Sequence, residues 1–190
     1  MSIQERRERE RGLRHQLIIA TAREIAEAEG WDAVTTRRLA DRIEYSQPVL
    51  YSHFAGKEQI VEAVAVEGFV ELAGALREAR RTQDDPRAAL RAVLHTYTDF
   101  ATANPALFDA MFTATTTLRF GGEDDTPAPL IAAFGEIQAA VAPFAGERDV
   151  ETLTEVWWST VHGMVTLGRD GRLRPDFREQ RIALVEQLLG

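Results

Sequence analysis

The run Thr35-Thr36-Arg37-Arg38-Leu39-Ala40-Asp41-Arg42, a break at Ile43-Glu44-Tyr45, then Ser46-Gln47-Pro48-Val49-Leu50-Tyr51-Ser52-His53-Phe54 and Gly56-Lys57-Glu58, decides the fold of this 190-residue chain. Thr35 or Thr36 can cap a short helix whose inward side is Leu39, Ala40 and Ile43. Ser46 is positioned to cap the next helix, and Pro48 is tolerated in its first turn because amides there lack intrahelical partners. Leu50 and Phe54 are four apart and face one side, which leaves Gln47, Val49, Tyr51, Ser52 and His53 on or near the other. Upstream, Leu13, Leu17, Ile18, Thr21, Ile25 and Ala26 mark one face of a first helix that Gly30 ends. Three short helices with a tight turn between the second and third are the minimum of a helix-turn-helix.

The outward side chains of the third helix suit a major groove. Gln47 offers an amide for a base edge and Val49 a small apolar group for a thymine methyl; Tyr51, Ser52 and His53 offer donors for phosphate. Lys57 opens the next helix, where its ammonium and the free backbone amides together favour an anion. Thr35, Thr36 and Arg38 open the second helix on the side that would cross the DNA backbone. Taken singly each of these residues is an ordinary surface residue. Their joint placement carries the reading.

The helical period continues through the rest of the chain. A long helix is expected from about Lys57 to Arg81, with Ile60, Val61, Val64, Phe69, Leu72 and Leu76 as its apolar stripe. Pro86 starts another, to about Ala103, and Pro105 starts a short one. Thr115 to Pro129, with Gly121-Gly122 inside it, reads as a mobile loop, and three further helices follow near 129–142, 148–168 and 176–189. No stretch alternates with period two, so the fold class is all-α, with about nine helices.

Composition narrows the function further. Absence of Cys excludes disulfides, Cys-based metal centres and thiol catalysis. The first fourteen residues are charge-dense with no apolar core, unlike a secretory signal, and no long uncharged apolar run suggests a membrane span. A soluble, cytoplasmic protein is expected. The net charge of −8 at first argues against nucleic acid. Residues 1–60, however, hold ten basic and ten acidic side chains, so the whole excess lies in residues 61–190. A neutral head on an acidic body fits a protein that touches phosphate only through the head. There is no Gly-rich phosphate loop, His-Glu-x-x-His or Gly-x-Ser-x-Gly, and the four His residues are scattered, so no catalytic site, cofactor or metal is expected. His95 and Asp99 lie four apart but lack a third ligand.

Residues 11–62 resemble the DNA-binding domain of the TetR (tetracycline-repressor) family of transcriptional regulators, most specifically in Leu50-Tyr51-x-His53-Phe54 with Lys57 three residues on. The resemblance implies that Thr35, Thr36, Tyr51, His53 and Lys57 contact phosphates and that Gln47 and Val49 approach bases. It also implies an N-terminal DNA-binding unit over 1–58 and a helical ligand-binding and dimerisation unit over 59–190. Two positions depart from the family pattern. Glu44 stands where the turn commonly has Gly, which costs on the order of 1 kcal/mol if the backbone stays left-handed. Pro48 stands where Gly or Ala is common, which bears on the entry geometry of the third helix.

For the larger part the resemblance implies a small-molecule pocket and a dimer through the last two long helices. The expected pocket set is Phe69, Leu72, Tyr97, Phe100, Phe108, Met111, Phe112 and Trp157, with His95, Tyr97, Asp99 and Thr113 as the few polar members, hence a mostly apolar effector. Val161, Val165 and Gly168 on one closing helix and Ile182, Val185 and Leu189 on the other are the expected dimer surface. Trp158 to Gly163 is similar to the Trp…His-Gly signature of one C-terminal subgroup, and Trp158 and His162, four apart, are expected to play a structural part. The expected partners are a palindromic double-stranded operator, a small effector and a second copy of the chain, without a membrane. The expected activity is regulation, most simply repression. The rival reading is a helical ligand carrier or adaptor without DNA binding.

Overall fold

The computed structural model describes residues 2–112 and 126–189, and among these the regular structure is entirely helical. Nine α-helices follow in order: α1 Ile3–Glu29, α2 Thr36–Arg42, α3 Gln47–Tyr51, α4 Lys57–Arg81, α5 Pro86–Ala103, α6 Pro105–Phe112, α7 Ala128–Val141, α8 Val150–Arg169 and α9 Arg178–Gln187. The expected loop over 115–129 falls, up to residue 125, outside the described residues, as does Thr113. None of the described helices is long and apolar enough to cross a membrane.

The chain divides into two compact units, one of Met1–Gly68 with Asn104–Arg119, the other of Phe69–Ala103 with Phe120–Gly190. The family resemblance implies a single boundary after residue 58. Helix α4 instead contributes its first twelve residues to the smaller unit, and α6 returns to that unit from much later in the chain. Its return has visible causes. The Glu27 carboxylate accepts the Ala106 and Leu107 amides at 3.0 and 2.9 Å, capping α6 from outside, and Trp31 Nε1 donates to the Ala106 carbonyl at 2.7 Å. At Gly68 a Cβ would lie 2.7 Å from Met111 Sδ and 2.8 Å from Leu107 Cδ1, so only Gly permits this close approach of α4 and α6.

Helix α1 starts ten residues earlier than its apolar pattern indicates. Ser2 and Glu5 form a reciprocal capping box, Glu5 N donating to Ser2 Oγ at 3.1 Å and Ser2 N to Glu5 Oε2 at 2.7 Å, so the charged arm is helical. Its buried face is Ile18, Ile19, Thr21, Ala22, Ile25 and Ala26. Leu13 and Leu17, expected on that face, are 65% and 43% exposed, because at about 100° per residue they point to the flank of the Ile18, Ala22 and Ile25 direction.

In the larger unit, ion pairs fasten the outer helices. Glu136 on α7 is almost buried and accepts from Arg77 Nε and Arg80 Nη2, both at 2.7 Å. Arg91 on α5 holds Glu186 on α9 through two bonds of 2.7 Å. Arg178 binds Thr98 Oγ1 at 2.6 Å and the Asp99 carboxylate, so Asp99 is committed to tying α9 to α5.

Candidate nucleic-acid interface

The helix-turn-helix forms as its residues dictate. Thr35 is the cap of α2, its side chain accepting from Arg38 N at 3.2 Å, while Leu39 and Ala40 are buried and Ile43 half-buried. The turn passes through Glu44 at φ 58°, the one non-Gly residue with a left-handed backbone among the described residues. Ser46 occupies the N-cap position of α3, but its side chain makes no capping hydrogen bond; its carbonyl takes the Val49 and Leu50 amides. Helix α3 closes at Tyr51, earlier than the 47–54 stretch suggested, yet Leu50 and Phe54 are both buried as anchors.

Gln47, Pro48, Tyr51 and Ser52 are exposed, and Val49 and His53 are half-buried on the same short element. Tyr51 is 51% exposed with its hydroxyl 3.4 Å from Thr36 Oγ1, which brings the outer faces of α2 and α3 together. Ser52 Oγ donates to the Val49 carbonyl at 2.6 Å. Lys57 Nζ donates to the Trp31 carbonyl at 2.5 Å, so the ammonium is fixed at the start of α4. His53 is held below the usual imidazole range by partial burial and by Arg11, His15 and Arg14. Its ring centroid lies 6.0 Å from that of His15, which stacks on Phe54 at 4.4 Å.

Arg38 is a partial departure from expectation. Its guanidinium forms a bidentate pair with Glu29, with Nη1–Oε2 at 2.9 Å, which raises the Arg38 pKa and lowers that of Glu29. Its neighbour Arg37 is exposed and makes no ion pair with a described residue, as is also true of Arg42. The sequence reading passed over both, and over half-exposed Tyr45 in the turn; two basic residues beside the capped Thr were the available signal.

In the larger unit Phe69, Leu72, Tyr97 and Trp157 are buried and Phe100 half-buried; in the smaller unit Phe108 and Met111 are buried and Phe112 half-buried. Tyr97 is the centre of a polar cluster. Trp158 Nε1 donates to its hydroxyl at 3.0 Å, and that hydroxyl lies 2.9 Å from His162 Nδ1. The indole can only donate, so the Tyr97 oxygen accepts from Trp158 and shares one further hydrogen bond with His162 Nδ1. Burial pushes the Tyr97 phenol well above its usual range and holds His162 below the imidazole range. Trp158 and His162 thus share a face, as their spacing indicated, and their rings lie 5.6 Å apart. The indole nitrogen of Trp157 is buried with no hydrogen-bond partner among the described residues. His95 Nε2 lies 3.9 Å from a Glu179 oxygen, and no group of three metal-ligating side chains occurs among the described residues.

The residues expected at the dimer surface mostly face inward in the single chain. Val161, Val165, Ile182, Val185 and Leu189 are buried within the chain, and only Gly168 is exposed. These side chains pack within the unit's own core. The exposed apolar side chains of the same helices are Val156 and Leu167 on α8 and Leu184 and Leu188 on α9, each 40–62% exposed.

A family model for bacterial regulatory proteins of the tetR family matches residues 18–64, and one for a tetracyclin repressor-like C-terminal domain matches residues 90–190. The second description names no Trp…His-Gly subgroup. Among curated proteins, the HTH-type transcriptional regulator YobS of Bacillus subtilis is 31% identical over 99 residues, 52% of this chain and 51% of that protein. The HTH-type transcriptional activator FasR of Mycolicibacterium smegmatis is 39% identical over 87 residues, 46% of this chain and 39% of that one. The chain therefore matches about half the length of these relatives or less. A solved structure from Rhodococcus sp. RHA1 superposes with a TM-score of 0.75 at 23% identity, covering 92% of each chain, which establishes the shared fold. With the family matched at both ends of the chain, over more than half its length at the C-terminal end alone, this protein belongs to the TetR family of bacterial regulatory proteins.

Proposed function

We propose that the chain is a DNA-binding transcriptional regulator that recognises a roughly palindromic operator as a homodimer and responds to a small, mostly apolar effector. The observation that carries the reading is the outward face of α3. Gln47, Tyr51 and Ser52 stand clear of the core while Leu50 and Phe54 anchor the element from behind. Thr36, Tyr51, His53 and Lys57 act on phosphates, and Gln47 and Val49 read base edges. Arg38 is tied to Glu29, so Arg37 takes the backbone contact expected of it.

The dimer uses Val156, Thr160, Gly163 and Leu167 of α8, spaced four, three and four apart, with Leu184 and Leu188 of α9. This is a largely apolar stripe that stays open among the described residues, with a small Gly in its middle for close helix approach. A two-fold pair would present two α3 helices to major grooves one turn, about 34–36 Å, apart.

The effector contacts are drawn from the aromatic set around Tyr97, and the buried Trp157 indole is a donor available for one acceptor on it. Helix α4 is the natural lever, since it starts at Lys57 in the smaller unit and continues as Phe69–Arg81 in the larger. An effector that binds one arrangement several kcal/mol better than the other empties the operator; repression by occlusion is the simplest outcome.

Duplexes selected from a random pool on the purified protein, then titrated by fluorescence anisotropy, test the reading. Enrichment of an inverted repeat and salt-sensitive binding support it. A pool that never enriches refutes it and leaves the ligand-carrier reading.

A further inference from the structure

Helix α1 carries one stripe along its length whose chemistry changes midway. Arg7, Arg11 and Arg14 are followed at the same helical spacing by Ile18, Ala22 and Ile25, which are buried against the head. Where the helix outruns the core, the inward-facing positions switch from apolar to arginine. Residues 3–13 are all exposed, and the capping box at Ser2 holds them helical.

The position of this stripe is fixed by contacts within the smaller unit. Arg11 Nη2 donates to the Ser52 carbonyl at 3.3 Å, at the C-terminal end of α3. Between the two helices lies an open groove of about 410 Å³ lined by Glu8, Arg11, Gly12, His15, Gln16 and His53. Arg11 therefore flanks the recognition element on its His53 side, with Arg7 and Arg14 about one turn away from it on the same stripe of α1. Partial burial, and after it the charges of Arg11, His15 and Arg14, hold the His53 pKa below the usual imidazole range. The nearby acids are weak competitors. Glu8 takes the Gln4 amide at 2.8 Å, and Glu10 bridges Arg6 and Arg14 at 3.6 Å in pairs exposed enough for a phosphate to displace. Arg7 has no ion pair among the described residues.

We propose that Arg7, Arg11 and Arg14 form a second phosphate-binding strip that grips the DNA backbone flanking the half-site read by α3. The strip rests on the regulator reading above and extends it to DNA outside the recognised bases. From Arg7 to Arg14 the helix rises about 10 Å at 1.5 Å per residue, the span of about three base pairs at 3.4 Å each. Because it contacts phosphates alone, it adds affinity and salt dependence without sequence preference.

The test uses the full-length double variant R7A/R14A, which spares Arg11 and its bond to Ser52 and keeps good helix formers throughout. Wild type and variant are titrated, across a salt series, on the selected operator with long flanks and on the same operator trimmed to its half-sites. Wild type should lose clearly more affinity on trimming than the variant, which keeps only Arg11 of the strip. The variant's slope of log affinity against log salt should fall by about two per head, at about 0.9 per lost phosphate contact, with the same preferred sequence. Equal slopes and an equal response to trimming overturn the strip while leaving the regulator reading intact. Wild type that binds no duplex overturns both.

Discussion

Replacing Glu44 with Gly tests the turn on which the recognition helix is hung. Glu44 holds φ 58° in the turn between α2 and α3. An L side chain there crowds its Cβ against the following carbonyl at about 1–2 kcal/mol, and Gly removes that cost. Against this, Gly loses more backbone freedom on folding, by roughly 0.5–1 kcal/mol. The net expectation for E44G is a gain centred on about 0.8 kcal/mol, within about 0–1.5 kcal/mol, or roughly 2–3 °C in the melting temperature of a chain this size. Thermal and urea unfolding of E44G beside E44A measures it. E44A loses the carboxylate, which sits two residues before the N-cap of α3, but keeps the Cβ, so it should gain nothing. Both variants should bind DNA more tightly and to similar extents, because both remove a negative charge beside the phosphates. If E44A is stabilised as much as E44G, charge and not backbone geometry limits this turn, and the argument is wrong.

Tyr97→Phe removes the hydroxyl that joins Trp158 and His162 and should cost about 1–3 kcal/mol, read as a lower melting temperature. His53 and His162 both have folded pKa values below the unfolded 6.5, so the unfolded chain takes up protons the folded one refuses. Stability should therefore fall as pH drops through 6.5 and stop falling on this account below the folded values; H162Q should flatten the loss between pH 7.5 and 5.5 in urea melts. Leu184→Glu, at an exposed position, should leave the fold intact and halve the mass seen by sedimentation; Val185→Glu, at a buried one, should unfold the chain. Lys57→Ala should weaken binding to every duplex and cost some stability through the lost Trp31 bond, whereas Gln47→Ala should change which sequence is preferred.

Local physics made much of the fold legible. The bounds expected for α4 and α5, Lys57–Arg81 and Pro86–Ala103, coincide with the observed ones, because a long amphipathic period met Gly and Pro at its ends. A cap at Thr35 or Thr36, which the structure resolves as Thr35, and Leu50 with Phe54 as anchors, were equally readable at short range. What escaped depends on residues distant in the chain. Helix α8 carries two apolar stripes, Val161 with Val165 and Val156 with Leu167, and periodicity cannot tell which one the rest of the chain covers. The pairing of Arg38 with Glu29 and the capping of α6 by Glu27 join separate elements, so no local pattern announces them. Tyr97 lies more than sixty residues from the Trp158 and His162 it connects, although the spacing of those two was already informative.

The most direct test of the central claim is guanine N7 methylation protection on a selected duplex, since N7 is open only in the major groove. The account predicts two protected patches about one helical turn apart, the pattern altered by Gln47→Ala and lost with Leu184→Glu at concentrations where that variant is monomeric. Tight binding without major-groove protection, or protection unaffected by changes in α3, would contradict it.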